Sequence, residues 1–117
     1  MDRSSATQML NEAFSLPTTT PCTWRNDRDS YIAEKQEELR ASQIDPVAVS
    51  AAADIIAQQH FGHDGKARPY VAIARSGETW LLYSQETREF AKAFGKTADG
   101  LALLGPASPD ALAEWLG

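Results

Sequence analysis

The stretch from Pro69 to Tyr83 constrains the fold more than any other part of the chain. Two β-rich runs, Pro69–Arg75 and Glu78–Tyr83, flank Ser76-Gly77, and that pattern predicts a hairpin. Side chains alternate across a strand, so Val71 and Ile73 share one face while Tyr70, Ala72 and Ala74 share the other. In the second run Trp80 and Leu82 oppose Leu81 and Tyr83. A strand that is apolar on both sides has to be covered on both sides. The remainder of the chain must therefore supply that cover.

Helical patterns surround the hairpin. Over Ala6–Phe14, Met9, Leu10, Ala13 and Phe14 recur at spacings of three and four, which predicts a short helix that needs a core to dock on. Asp27–Ser42 reads as a charged surface helix, capped by Asn26 or Asp27, with only Tyr31, Ile32 and Leu39 on its apolar side. A central core helix is expected from Asp45, a suitable N-cap, with Pro46 at the first helical position. It would carry Ala51, Ala52, Ala53, Ile55, Ile56 and Ala57 and end near Gly62. A further helix is predicted from the cap Ser84, with Phe90, Ala91 and Phe94 as its buried stripe and Gly95 as its stop. Leu101–Leu104 reads as a short strand, and Ser108-Pro109-Asp110 starts a last helix whose apolar side is Leu112, Trp115 and Leu116.

These elements give the order α-α-α-β-β-α-β-α. The fold class expected is α+β, a small, mainly antiparallel three-stranded sheet packed with about five helices. At 117 residues the chain reads as one domain, too short for two independent cores, with residues 1–26 as an N-terminal arm. Within that arm Ser15–Asn26 contains two prolines and a run of threonines, which resist helix and favour extended backbone. The core is expected to bury Ile55, Ile56, Val71, Ile73, Trp80, Leu82, Phe90, Phe94 and Leu103.

A net charge of −5 argues against a phosphate-backbone binder, which needs clustered Lys and Arg. The single cysteine, Cys22, rules out an internal disulfide. No apolar run is long enough to span a bilayer, and the first 16 residues lack the apolar stretch of a signal peptide, so a cytoplasmic location is expected. The mixture of helices around a hairpin in a small acidic chain is shared by bacterial immunity proteins and secretion chaperones at the level of fold alone.

Three functional readings follow. The first is a non-enzymatic protein-binding domain of the inhibitor, immunity or adaptor type, without cofactor or metal. Its partner would be another protein, met through Trp24 and Arg25 in the arm and through Glu34 and Glu38 on the charged helix. Trp and Arg are favoured anchors at interfaces, and a Trp in a proline-threonine segment has no periodicity that assigns it to a core. The second is a metal-binding protein or enzyme using Cys22, His60 and His63. Against it, His60 and His63 straddle Gly62 rather than sharing a helix face, no Cys-x-x-Cys accompanies them, and imidazoles suit a helix C-terminus without any metal. The third is a single-stranded nucleic-acid site on the hairpin, from Lys66, Arg68 and Arg75 with Tyr70 and Trp80, which the net negative charge opposes. On the first reading, a chelator leaves the melting temperature unchanged and elemental analysis finds no stoichiometric metal. Zinc retained at one equivalent through gel filtration would put the second reading first.

Overall fold

A computed structural model describes residues 1–18, 27–53, 66–103 and 107–116. Among these residues the elements are α1 (Arg3–Phe14), α2 (Arg28–Ala41), β1 (Gln43–Ala53), β2 (Arg68–Ser76), β3 (Thr79–Ser84), β4 (Glu89–Phe94), β5 (Leu101–Leu103) and α3 (Ala111–Leu116). The expected three-stranded sheet with about five helices is therefore wrong. The described residues hold five strands and three helices, and the strands close into a barrel in the order β1-β2-β3-β4-β5. Successive strands are antiparallel. In such a meander the first and fifth strands run the same way, so the closing pair has to be parallel, and Ala51, Ala52 and Ala53 pair in parallel with Leu101, Ala102 and Leu103.

The hairpin is where the pattern placed it, with its turn one residue later. Ser76 pairs with Thr79, leaving Gly77-Glu78 as a two-residue loop. Gly77 has φ 62, the left-handed value that the first loop position of a type II′ turn needs. Alternation then divides the apolar residues between two cores. Ala72, Trp80 and Leu82 face the barrel interior with Val49, Ala51, Ala53, Ala91, Ala93, Leu101 and Leu103. Ile73, Ala74, Leu81 and Phe90 face the helices with Ala6, Leu10, Leu39, Ala111, Leu112 and Trp115. A register shift between Ala72 and Ala74 turns both Ile73 and Ala74 to the helix side.

Two predicted helices are strands. The segment expected to be the central helix begins as β1, and the part of that expectation over residues 54–65, including Ile55 and Ile56, lies outside the described residues. Val49, Ala51 and Ala53 are buried at intervals of two, while Ser50 is exposed. Pro46 sits where the β1–β2 register shifts between Gln43 and Val47, a place that does not require the ladder donor proline lacks. Ala51 and Ala53, two of the alanines that suggested a helix, are instead small residues filling a narrow barrel.

The second correction is Ser84–Phe94. The capping signature at Ser84 is real but short-lived. Its Oγ accepts from the Thr87 N–H at 3.2 Å, and its carbonyl accepts from the Arg88 N–H at 2.8 Å. One helical turn forms. Arg88 then takes φ 58 and sends the chain back as β4. Ala91 and Ala93 point inward and Phe90 is covered by the helices. Phe94, expected in the core, is 46% exposed.

The helices cover one side of the barrel. In α1, Ala6 and Leu10 are fully buried one turn apart, and Asp2 caps the helix by accepting from the Ser5 N–H at 2.7 Å. In α2, Asp27 caps by accepting from the Ser30 N–H at 3.1 Å, and the buried stripe is as thin as predicted, Tyr31 and Leu39 with Ile32 beside them. The last helix is found but starts later than the pattern placed it, at Ala111, with Asp110 rather than Ser108 as its cap, accepting from the Ala113 N–H at 3.0 Å. Short as it is, α3 touches β3, β4, α1 and α2.

Trp80 holds one end of the barrel. It is 3% exposed, and its indole N–H donates to the Gly95 carbonyl at 2.9 Å. The Arg75 guanidinium lies 4.4 Å over the indole ring and donates to the carbonyls of Gly77 and Lys96, both at 2.8 Å. A Cβ at Gly95 would meet the Leu101 Cδ2 methyl at 2.8 Å, so a side chain there would require the buried Leu101 to shift. Truncating Trp80 to Ala should cost about 3–5 kcal/mol in denaturant unfolding. Phe94→Ala should cost less than about 1 kcal/mol, because that ring is half in water already. Equal losses in the two variants would contradict the assignment of inner and outer faces.

Candidate partner-binding surface

Where α1 ends and α2 begins, the surface is shaped by two chain turns. Ser15 N–H donates to the carbonyls of Asn11 and Glu12, each at 3.2 Å, and closes α1. The chain then runs through Leu16, Pro17 and Thr18, of which Leu16 is 57% exposed. Pro17 cannot continue a helix, so these residues leave α1 rather than extend it. Opposite them α2 presents Asp29, Ile32, Ala33 and Gln36. Between the two lies a groove of about 330 Å³ whose apolar lining is Phe14, Leu16, Pro17, Ile32 and Ala33.

The groove is tied to the rest of the molecule at one end. Arg28 Nη2 donates to the Thr18 carbonyl at 2.9 Å. The Thr18 hydroxyl reaches both carboxylate oxygens of Asp110, at 2.9 and 3.0 Å, and so fixes the start of α3 to the end of α1. The same carboxylate caps α3. Ser108 is held against β4 by two backbone bonds with Phe90, of 2.7 and 3.0 Å, and its hydroxyl donates to Glu114 at 3.2 Å. At its other flank the groove ends near Arg40, which donates to Asn11 Oδ1 at 3.3 and 3.2 Å and lies 4.8 Å over the Phe14 ring. Arg40 also pairs with Glu37.

Of the residues singled out for a partner, Glu34 and Glu38 lie one turn apart on the exposed side of α2. Glu38 pairs with Lys35 at 3.0 Å, and that bond raises the Lys35 pKa. At about 100° per residue, Glu34 and Glu38 fall on one side of the Tyr31–Leu39 stripe, and the groove residues Asp29, Ala33 and Gln36 fall on the other. The acidic pair and the groove are thus separate surfaces. Trp24 and Arg25 lie outside the described residues, as do Cys22, His60 and His63. Among the described residues no group of three or more His, Cys, Asp or Glu is placed to hold a metal ion, and no helix is long and apolar enough to cross a membrane.

The hairpin residues are spread out. Lys66 and Arg68 are exposed at the start of β2, and Arg75 is at its far end, roughly 20 Å away along the strand. Trp80 is inside the barrel and Tyr70 is partly packed against the same interior, where burial raises its pKa. These five residues do not share a surface. The apolar groove was missed in the sequence because each of its residues belongs to a different pattern. Leu16 and Pro17 read as linker, and Ile32 read as part of the thin apolar stripe of the charged helix.

No known protein family, no curated protein and no solved structure matches this chain.

Glu114 gives a pH-dependent test of this junction. Burial raises its pKa above the ordinary carboxylate range, nearby Asp110 and Glu89 raise it further, and the Ser108 hydroxyl works in the other direction. A carboxyl whose pKa is raised on folding destabilises the fold while it is ionised, and that penalty disappears as pH falls through its folded value. Glu114→Gln keeps an acceptor for Ser108 and removes the charge. It should raise stability at pH 7 by less than about 1 kcal/mol, since a half-buried group is partly screened. The gain should shrink as the pH is lowered into the carboxylate range. A variant less stable than the parent at pH 7, or a gain that grows in acid, would contradict the environment described.

Proposed function

We propose that this protein is a non-enzymatic protein-binding domain, of the inhibitor, immunity or adaptor type, acting in the cytoplasm through the outer surface of its first two helices. The observation that carries this reading is the groove between α1 and α2, where Leu16 stands 57% exposed beside Phe14 and Ile32. Large apolar side chains gathered at a concave surface mark contact sites more often than isolated ones do. The barrel interior supports the same reading from the other direction. Trp80, Leu82, Leu101 and Leu103 fill it together with alanines, so the fold offers its outside rather than its lumen.

The segment carrying Trp24 and Arg25 leaves the described chain at Thr18 and rejoins it at Asp27, beside Arg28. Both Thr18 and Arg28 line the groove. In this reading the partner contributes an apolar anchor to the groove, and Trp24 and Arg25 are further proposed contacts. Glu34 and Glu38, on the opposite flank of α2, form a second and weaker contact for a basic edge of the same partner. Exposed charges of that kind steer association more than they hold it.

The test begins with affinity purification from the native host and identification of a partner that co-purifies stoichiometrically. Leu16→Asp should then weaken binding by about 2 kcal/mol or more, as truncation of an interface anchor does, with an unchanged melting temperature. Glu34→Lys with Glu38→Lys should mainly slow association and reduce its dependence on salt. If Leu16→Asp binds the purified partner as tightly as the parent chain does, the groove is not the contact surface.

A further inference from the structure

No further inference is drawn: the strongest candidate, the outer barrel face on which Phe94, Ala102 and Ala52 form a row across β4, β5 and β1, is an unpartnered apolar face and nothing in the structure shows what covers it.

Discussion

The barrel closes on three residue pairs, Ala51–Leu101, Ala52–Ala102 and Ala53–Leu103, and the packing of both cores follows from that closure. Without it, Val49, Ala51 and Ala53 would face water instead of Leu82, Leu101 and Leu103. A sheet of five strands encloses little space, because barrel diameter grows with strand number. The interior accordingly holds one Trp, three Leu, one Val and five Ala among its buried members. Trp80 is too large to sit in the middle of such a row of alanines without polar help. Its N–H finds the Gly95 carbonyl and its ring lies under Arg75, which leaves its ring surface packed and its donor satisfied.

Closure also dictates which surfaces remain for function. Ile73, Ala74, Leu81 and Phe90 make an apolar outer patch on β2, β3 and β4, and α3 packs against β3 and β4 while also reaching α1 and α2. Six residues suffice for this because Ala111, Leu112 and Trp115 are all buried. The position of α3 is over-determined. Asp110 caps it and accepts from Thr18, Ser108 pairs with Phe90 of β4, and Ser108 donates to Glu114. Through Thr18 and Arg28 the same network reaches the groove between α1 and α2. The candidate binding surface thus borders a junction where three helices and a strand are joined by hydrogen bonds.

Some of this was legible in the sequence. The hairpin over Pro69–Tyr83, the helix before Ser15 and the thin stripe of α2 rest on local signals that the fold leaves intact, and the last helix was legible apart from its cap, which is Asp110 and not Ser108. The burial of Ile73, Trp80, Leu82, Phe90 and Leu103 was expected and is found. Val71 is only partly buried, and Phe94, at the last position of β4 on the same side as the covered Phe90, is exposed. What misled was alanine. A run such as Ala51-Ala52-Ala53 fits a period of two and a period of 3.6 equally well, and its high helix propensity favours the wrong one. Likewise Ser84 with Thr87 has the hydrogen bond of a helix start, and only the left-handed backbone at Arg88 shows that the turn stops there. An Arg gives no such warning in a sequence, whereas a Gly would have. The groove was invisible because it is made by two elements that meet only in the fold.

The account depends most on Gln43–Ala53 being a barrel strand, and nuclear magnetic resonance on the labelled chain tests that directly. Backbone chemical shifts over Val47–Ala53 should be those of extended chain, and amide-to-Hα contacts should link Ala51–Ala53 with Leu101–Leu103 in parallel register. Helical shifts over the same residues, with i to i+3 contacts from Val47 to Ala53 and none to Leu101–Leu103, would contradict the barrel. They would also return these alanines to the helix that their propensities suggest.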